Sequence, residues 1–456
     1  MNAYQGCTIG GTSAINAGLY FQPPASDWDL YHPDGWKSTD VQAAIEKLLD
    51  RQPSITEYSQ DNQFYLQSGY EAAEKWLVDA AGFSNVSLND DPDNKDKVFG
   101  RPAYNYIDGQ RGGPVRTYLQ TALERNNFHL QTGVHVKYIN QECGTATGLT
   151  VEVDGHLQTI NITSKDRIVL SAGALVSPQI LMYSGIGPED TLTSLSNASF
   201  FQYDSSKWMV NPEVGKGLFD NPNTFIELSG PTIESYAHSY TDPVSTDRDL
   251  YLQSRSGPYS FASQTSVFFG YVPQGNGSKL GVQGTIDSSG FSGFNGNNTI
   301  TLNIYGTSGL YSSGHVVLAS DKNFTAGPSD NIYYADPRDG QSIATFIHDI
   351  FQALPESTPE SPAEEGLTPL NLARNSTVEQ IYTYITTPSE YAVGSVSHWS
   401  SSCRIGKCVD ADTKVIGTQN IHVIDASILS PLSVNPQFGI MVAAEKGAER
   451  LLATWG

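Results

Sequence analysis

The sequence predicts a mixed α/β and α+β fold of two interleaved lobes, and three observations support this prediction. Apolar residues recur at helical spacing in several segments. A buried apolar run at 168–170 leads through a small-residue turn into a helix, which is typical of an open α/β sheet. Short alternating segments rich in Gly, Ser, Tyr, Phe and Thr fill residues 220–335, and they predict an antiparallel sheet with long surface loops.

Composition and charge restrict the function. The 456 residues include 26 Lys and Arg against 48 Asp and Glu, which gives a formal net charge of −22. Such a chain repels polyanions, so nucleic-acid binding is excluded as its main role. No apolar stretch approaches the roughly 18 residues of a membrane span. The length suits two or three lobes of about 150 residues, and they are expected to interleave because no repeat or low-complexity linker separates them.

Four helices are predicted from spacing and end signals. The first carries apolar residues at i, i+3, i+4, i+7 and i+8 from Val41, behind the polar capping residues 38–40. The second lies near 70–80 and stops at Gly82. The third has Pro114 in its first turn, and the last spans about 436–453.

Strands are predicted where alternation or a short apolar run is bounded by turn residues. Residues 157–162 alternate like a half-exposed strand, whereas 168–170 have the pattern of a fully buried one. Residues 299–304 alternate within the antiparallel region. A further strand is expected at 421–425, just before the last helix.

Residues 6–16 form a compact glycine-rich cluster. The adjacent glycines Gly10 and Gly11 let backbone amides approach a ligand closely, and Thr12 and Asn16 add hydrogen-bonding groups. A tight structural turn without a ligand explains the same pattern.

A second cluster lies at 169–188. A buried strand is followed by the small-residue turn Ala172-Gly173, a short helix expected to begin near Ser177-Pro178, and a Ser-Gly-x-Gly exit. Open α/β sheets bind ligands at such a turn beyond the carboxyl end of a strand. A capped βα connection without a ligand is the alternative.

A third cluster joins His398-Trp399 to Asn435-Pro436-Gln437 through the strand that ends at Asp425-Ala426. Proline suits the first helical position, so Asn435 is a candidate N-cap, and the positive end of the helix favours an anion. His398 is a candidate proton acceptor near neutral pH, and a packed or surface histidine is the alternative.

In this order and spacing the three clusters resemble the glucose-methanol-choline (GMC) family of FAD-dependent oxidoreductases. The stretch from Gly6 to Asp29 resembles the first signature of the family, and that from Gly173 to Gly187 resembles the second. The resemblance runs over nearly the whole chain and is thin between about 230 and 370.

Other segments are similar to the flavin dehydrogenase domain of fungal cellobiose dehydrogenase. They are residues 89–92, 97–100 and 112–123, together with the pairing of His398-Trp399 and Asn435-Pro436-Gln437. The resemblance implies oxidation of the anomeric carbon of cellobiose or a related sugar to a lactone. His398 would take the hydroxyl proton while a hydride passes to flavin N5, and the amide of Asn435 would hold the substrate oxygen.

The resemblance also implies a set of FAD-binding residues and no metal ligand. The implied cofactor residues are Gly10, Gly11, Thr12, Asn16, Val136, Ala172, Gly173, Asp425, Ala426, Pro436 and Gln437. The implied partners are a small-molecule carbohydrate substrate and a quinone or a haem protein as electron acceptor, with oxygen left open as the alternative acceptor and with no nucleic acid and no membrane span.

The chain departs from the family in one respect, because it has no G-x-G-x-x-G turn. The expected architecture is therefore a Rossmann-like FAD-binding lobe without its first βαβ unit, interleaved with a substrate lobe built on an antiparallel sheet with helices. The FAD-binding lobe is expected to comprise residues 1–19, 113–217 and 406–456, and the substrate-binding lobe residues 20–112 and 218–405. Two alternatives stay open: a vestigial protein that does not hold FAD, and a GMC-type flavin-containing lyase.

Seven Asn-x-Ser/Thr sequons favour an extracellular protein, although the first residues lack the pattern of a secretory leader. The sequons are at Asn85, Asn161, Asn197, Asn276, Asn297, Asn323 and Asn375. Cys403 and Cys408 lack a second pair with zinc-site spacing. They form either a local disulfide or two free thiols.

Overall fold

The structure is a computed structural model that describes residues 3–275, 277–319, 325–355 and 366–455. The α-helices in these residues are α1 (Ala25–Tyr31), α2 (Ser38–Arg51), α3 (Ser68–Glu74), α4 (Tyr118–Leu123), α5 (Gly173–Tyr183), α6 (Glu189–Ser196), α7 (Ser245–Ser254), α8 (Pro337–Gln352), α9 (Val378–Thr386) and α10 (Gln437–Ala453). Within these described ranges, none of the helices combines the length and the hydropathy that a membrane crossing requires.

The strands of the same residues form one large sheet and several small ones. They are β1 (Ser84–Asn85), β2 (Val98–Gly100), β3 (Tyr106–Ile107), β4 (Gln110–Arg111), β5 (Val134–Glu142), β6 (Thr145–Val153), β7 (His156–Asn161), β8 (Ile168–Leu170), β9 (Ile186–Gly187), β10 (Met209–Val210), β11 (Lys216–Leu218), β12 (Pro222–Ser229), β13 (Gln264–Pro273), β14 (Lys279–Asp287), β15 (Thr299–Gly306), β16 (Gly314–Leu318), β17 (Ala326–Pro328), β18 (Thr368–Pro369), β19 (Ala392–Ser395) and β20 (Ile421–Val423).

The large sheet confirms the antiparallel region predicted at 220–335. Its strand order is β1-β2-β13-β14-β15-β12-β18, and β19 also pairs with β12. The pairings among β13, β14, β15 and β12 are antiparallel. The apolar stripe of α8 packs on this sheet, where Ile343, Phe346 and Ile347 are buried with the side chains of β13 to β15. The sheet therefore supplies a rigid platform for the side chains that point away from α8.

A second layer system has α/β character. Strands β8 and β20 pair in parallel, and α5 and α10 follow them in the chain. The antiparallel sheet β5-β6-β7 lies beside α5. Trp28, Trp36 and Leu48 of residues 20–51 are buried in the same hydrophobic cluster as β8, α5 and α10. The division of the chain into lobes at the expected boundaries stays a prediction.

Three of the predicted helices are confirmed, although residues 38–40, predicted as the cap of the first, form its first turn behind Lys37. Helix α2 begins at Ser38, and the side chain of Asp40 accepts a hydrogen bond from the backbone N–H of Lys37 at 3.0 Å. Helix α3 continues as a π-helical turn, Lys75–Ala80, and ends before Gly82. The last helix is also confirmed, because α10 covers nearly all of the predicted range.

The predicted start of the third helix is wrong. Helix α4 begins only at Tyr118, and Pro114 lies in the turns that precede it.

The predicted burial of two strands is wrong as well. Every residue of β7, the edge strand that pairs only with β6, is exposed, so neither of its side-chain faces is covered by another layer. In β8, Val169 between two buried neighbours is 40% exposed, so the strand alternates instead of being buried on both faces.

Helix α5 starts four residues earlier than the sequence predicts. It begins at Gly173, which places Pro178 inside the helix. Proline has no N–H to donate to the carbonyl of Ala174. The hydroxyl of Ser402 donates to that carbonyl at 2.5 Å, so the freed acceptor is satisfied by another part of the chain. A sequence pattern cannot show such a distant partner.

Candidate active site

His398 and Asn435 meet at the start of α10. His398 follows β19 and is partly buried, whereas Asn435 is 8% exposed and precedes Pro436. Asn435 Nδ2 lies 3.3 Å from His398 Nε2. The two side chains that the resemblance pairs in one reaction are thus neighbours in the fold, and we call them the His398–Asn435 pair.

The neighbours of His398 determine which ring nitrogen carries the proton. Asn221 Nδ2 lies 2.7 Å from the carbonyl oxygen of Gly306, which can only accept. Asn221 Oδ1 must therefore be the acceptor in the 2.9 Å contact with His398 Nδ1. Nδ1 carries the hydrogen, and the lone pair of Nε2 is directed toward Asn435.

Two side chains of the large sheet complete the surroundings of Asn435. Gln283 Nε2 donates to Asn435 Oδ1 at 2.5 Å. Tyr305 is the partner of Gln283 in the β14–β15 register, and its ring meets the His398 ring edge-on with centroids 6.1 Å apart. The side chains of Asn221, Gln283 and Tyr305 that contact the pair are uncharged, and the carboxylate of Asp220 contacts the backbone N–H of His398.

The prediction of Asn435 as an N-cap is wrong. Pro436 occupies the N-cap position of α10, and the structure gives that position no side-chain cap. The Asn435 side chain cannot cap the helix, because its oxygen accepts from Gln283 and its nitrogen is turned to His398.

Burial shifts the pKa values of His398 and of two titratable residues near it. Burial lowers the pKa of His398 to about 4, so its imidazole is neutral at pH 7 and can accept a proton. Burial raises the pKa of Tyr305, which keeps the phenol protonated. Burial also raises the pKa of Asp220, while hydrogen bonds from Ser395 and Tyr333 act in the opposite direction. The site therefore offers one neutral base among hydrogen-bond donors.

The glycine-rich loop contacts α10 at Gln437, two residues after Asn435. Gly10 and Gly11 both have positive φ, and Gly11 opens a 3-10 turn that runs to Ala14. Thr12 Oγ1 accepts a hydrogen bond from Gly6 N at 3.0 Å, which closes the loop on itself.

Asn16 links the loop to the start of α10. Asn16 Nδ2 donates to Gln437 Oε1 at 2.7 Å. The other polar atom of that side chain, Gln437 Nε2, is buried and has no hydrogen-bond partner. An unsatisfied buried donor of this kind indicates a missing acceptor beside the loop.

The ends of β8 and β20 are tied together by Asp425. Its Oδ2 accepts from Gly173 N at 2.9 Å and from the hydroxyl of Ser177 at 2.5 Å. Its Oδ1 accepts from Ser427. Ala172 and Ala426, the neighbours of these groups, therefore follow the ends of two adjacent strands.

Val136 lies elsewhere in the fold. It is partly buried in β5, pairs with Val151 of β6 and packs against the cluster that contains α5. None of the hydrogen bonds described above includes it.

Several residues around the pair were not predicted from the sequence. They are Asp220, Asn221, Gln283, Tyr305 and Tyr333. The only local signal is at Asp220-Asn221, where a polar pair follows two glycines and precedes a proline at the start of β12. Gln283 and Tyr305 stand in ordinary strand positions, and only the sheet register brings them together.

Comparison with known proteins decides the family. A family model described as GMC oxidoreductase matches residues 1–223, and a second with the same description matches residues 311–444. The chain belongs to the GMC oxidoreductase family. FAD is the cofactor of this family, and CH–OH groups are its typical substrates.

Curated GMC relatives are similar over almost the entire chain. (R)-mandelonitrile lyase 2 of Prunus dulcis is 25% identical over 98% of this chain and 74% of its own length. An oxygen-dependent choline dehydrogenase of Vibrio vulnificus is 24% identical over 98% of this chain and 80% of its own length.

Solved GMC structures confirm the fold class. A formate oxidase from Aspergillus oryzae superposes with a TM-score of 0.78 at 17% identity, over 98% of this chain and 84% of that one. A pyridoxine 4-oxidase gives a TM-score of 0.74 at 19% identity, over 99% of this chain and 85% of that one. The mixed α/β fold with an FAD-binding part and a sheet-based substrate part is thus confirmed, whereas the nearer resemblance to cellobiose dehydrogenase stays a prediction.

The residues at the start of α10 fit the flavin end of FAD. The buried Gln437 Nε2 lacks an acceptor, and flavin rings carry carbonyl and nitrogen acceptors. Open space lies beside Gly11, where an added Cβ would meet no atom within 4 Å. Gly11, Asn16 and Gln437 would hold the flavin end, and the His398–Asn435 pair lies beside them. When bound, FAD supplies the hydride acceptor.

Proposed function

We propose that the protein oxidises the anomeric carbon of cellobiose or a related neutral sugar to a lactone, with His398 as the base. The observation that supports it best is the fixed tautomer of His398. A substrate hydroxyl placed between the pair can donate to His398 Nε2 while its oxygen accepts from Asn435 Nδ2. The 3.3 Å separation is long for a direct N–H···N hydrogen bond, so the amide can turn to a substrate oxygen.

The uncharged surroundings support a neutral substrate. Asn221, Gln283 and Tyr305 contact the pair and carry no charge. The carboxylate of Asp220 contacts His398 only at its backbone N–H, and its two oxygens already accept four hydrogen bonds. A quaternary ammonium or a small carboxylate substrate needs an opposite charge or an aromatic cage, and a sugar needs hydrogen bonds.

Anaerobic reduction of the flavin tests the proposal. The full chain, loaded with FAD, is mixed with cellobiose, choline, formate or mandelonitrile, and the flavin absorbance is followed. We expect bleaching with cellobiose and little with the two charged compounds. A folded protein that stays colourless after incubation with FAD would overturn the proposal in favour of the vestigial alternative.

The role of His398 is tested by substitution. His398→Ala should lower kcat by about 10²–10⁴-fold, because general-base catalysis contributes that much. His129→Ala is the matched control, since His129 is exposed in a loop. Near-normal turnover in His398→Ala rejects the assignment.

A lyase is the second candidate, because relatives named (R)-mandelonitrile lyase match 98% of the chain. Lyase chemistry releases benzaldehyde from mandelonitrile without bleaching the flavin. That result, together with no bleaching by sugars, would favour the lyase.

We further propose that the protein is extracellular and that a quinone or a haem protein takes up its electrons. The five sequons within the described residues are all exposed, and they are Asn85, Asn161, Asn197, Asn297 and Asn375. Asn276 and Asn323 lie outside the described residues. The structure has a Cys403–Cys408 disulfide, one of the two alternatives, and disulfides persist in oxidising compartments. A mass decrease on endoglycosidase treatment of the fungally expressed protein tests the localisation, and steady-state turnover with each acceptor class against oxygen tests the acceptor.

A further inference from the structure

We propose that two buried carboxylates, Asp220 and Asp27, are positioning residues that hold the loops carrying His398 and Asn435. The proposal rests on the proposed function, because that function assigns the two side chains to one reaction. Each carboxylate contacts backbone or hydroxyl groups of the loop and leaves the reacting side chain free.

Asp220 accepts four hydrogen bonds, three of them from the loop at 395–398 and one from Tyr333. It is 2% exposed and lies between β11 and β12. Its Oδ1 accepts from His398 N at 2.6 Å. Its Oδ2 accepts from the hydroxyls of Tyr333 at 2.5 Å and Ser395 at 2.6 Å, and from Ser397 N at 3.3 Å. One side chain thereby fixes the backbone on both sides of the peptide that leads into His398.

The conformation of that loop needs such a constraint. Ser397 has φ +65°, the left-handed region that residues other than glycine adopt uncommonly. The residue after Asp220 continues the grip, because Asn221 Oδ1 accepts from His398 Nδ1 at 2.9 Å. Asp220 thus fixes the backbone of His398, and Asn221 fixes its ring.

Asp27 holds the other loop in the same way. It lies in α1, is 2% exposed, and accepts from Ser433 N at 2.6 Å and from Ser433 Oγ at 2.6 Å. Ser433 stands two residues before Asn435, and its hydroxyl also lies 2.8 Å from that of Ser308, which follows β15 of the large sheet. Asp27 therefore determines where the chain enters the first turn of α10.

A carboxylate suits this task better than an amide. It accepts at both oxygens and has no N–H of its own. All the groups around Asp220 and Asp27 named above are donors, so an asparagine in either place would turn an NH₂ group toward N–H or O–H groups. Such a mismatch moves the loop, and a displacement of about 1 Å at a reacting group can lower a rate about 10²-fold.

The test compares Asp220→Asn and Asp27→Asn with Asp339→Asn in the full chain. Asp339 is the matched control, because it is buried and accepts from the backbone N–H groups of Tyr311 and Ser312 at 2.9 and 2.8 Å. The loop that it holds carries neither member of the His398–Asn435 pair. Loss of stability common to all three variants is thereby separated from loss of positioning.

Two readouts do not need enzymatic activity. The first is the ¹⁵N spectrum of histidine-labelled protein, in which the His398 signals are those absent from His398→Gln. We expect protonated Nδ1 and unprotonated Nε2 in the parent, a tautomer mixture in Asp220→Asn, and the parent spectrum in the other two variants. The second is deuterium uptake, which should rise at least about tenfold in rate at 395–398 for Asp220→Asn and at 431–435 for Asp27→Asn.

The third readout is the flavin reduction itself. Both variants should lower the limiting rate of reduction by the sugar about 10- to 100-fold, with less than a threefold change in its Kd. Asp339→Asn should stay within threefold of the parent in both. If no sugar reduces the parent flavin, the proposed function fails, while the two spectroscopic readouts still decide the positioning roles.

Folded Asp220→Asn and Asp27→Asn proteins with the parent tautomer, parent deuterium uptake and the rates of Asp339→Asn overturn the proposal. Should an asparagine variant not fold, Tyr333→Phe and Ser395→Ala decide, because each removes one donor to Asp220 and leaves the carboxylate in place. We expect a 3- to 10-fold loss in limiting rate for each, and parent values in both refute the role of Asp220. For Asp27 the substitute is Ser433→Ala, with the same expected loss and the same refuting result.

Discussion

Replacing Asn221 with aspartate places a negative charge beside His398, the base of the proposed reaction. The Asn221 oxygen lies 2.9 Å from His398 Nδ1, and aspartate has nearly the same shape. Burial holds the pKa of His398 at about 4 in the parent. An opposite charge within about 4–6 Å raises the pKa of a histidine by about 1–3 units.

The size of the expected shift follows from the neighbours of the new charge. One to three units correspond to about 1.4–4 kcal/mol of added preference for the imidazolium. Asp220 is the next residue in the chain and is also buried, so repulsion between the two carboxylates favours the lower half of the range. The pKa of His398 in Asn221→Asp should therefore lie near 5–6, about 1–2 units above the parent.

The assay is the pH dependence of the limiting rate of flavin reduction between pH 3.5 and 8. Only neutral His398 can accept a proton, so activity is lost as the pH falls through its pKa. The midpoint of the acid limb should lie near 4 in the parent and about 1–2 units higher in Asn221→Asp. The variant should also lose about 1–3 kcal/mol of unfolding free energy, because the Gly306 carbonyl loses its donor.

Asn420→Asp is the control for that cost. Asn420 is 1% exposed, and its amide nitrogen donates to the carbonyls of Ala146 and Asp166, with no contact to His398. It should lose comparable stability and keep the parent acid limb. If the acid limb of the parent has its midpoint near 6.5, burial does not lower the pKa of His398 as stated. If the midpoint does not move in Asn221→Asp, the assigned hydrogen bond between Asn221 and His398 is refuted.

Three further predictions concern stability. Burial raises the pKa of Glu227 from 4.5 to about 7, so the folded state binds this proton more tightly than the unfolded chain does. The unfolding free energy therefore falls as the pH rises from about 4.5 through 7. In urea titrations Glu227→Gln should be more stable than the parent by about 1–3 kcal/mol at pH 8 and equal to it below pH 4.5. Gly284→Ala should lose about 1–3 kcal/mol of unfolding free energy, because its new Cβ would overlap the ring of Phe268. Replacing Cys403 and Cys408 with alanine should lower the unfolding free energy by roughly 2 kcal/mol, since the disulfide closes a loop with a sequence separation of 5.

Each of these three predictions has a result that contradicts it. For Gly284→Ala the matched variant is Gly275→Ala, where an added Cβ meets no atom within 4 Å, and equal losses in the two contradict the packing argument. A pH-independent difference between Glu227→Gln and the parent contradicts the titration of Glu227. A disulfide-free protein with unchanged urea midpoint and slope contradicts the loop-closure estimate.

The sequence predicts an element correctly where residues within that element determine its structure. The apolar stripe of α2, the alternation in β15 and the proline before α10 each specify an element from within a few residues. The errors arise where a distant residue decides. Helix α5 keeps Pro178 because Ser402 satisfies the freed carbonyl of Ala174, and no spacing within 173–188 contains that information.

The same distinction applies to the site. The sequence resemblance names His398 and Asn435, and the structure makes them neighbours. The groups that orient them, such as Asp220 and Gln283, come from other strands and have no motif of their own. In the sequence, polar residues that orient a neighbouring side chain cannot be distinguished from ordinary loop and strand residues. Only their three-dimensional contacts reveal this role.

The contact between Asn16 and Gln437 has a consequence for how the chain folds. It joins residues 421 positions apart, and closing such a loop costs about 3 kcal/mol more chain entropy than closing one of 10 residues. The contact of Asp220 with His398 spans 178 positions and that of Asp425 with Gly173 spans 252. Contacts of such high sequence separation form late, after local helices and hairpins. On the ribosome the large antiparallel sheet can assemble from nearby strands, whereas the site cannot exist until α10 has emerged and the first residues of the chain have returned to meet it.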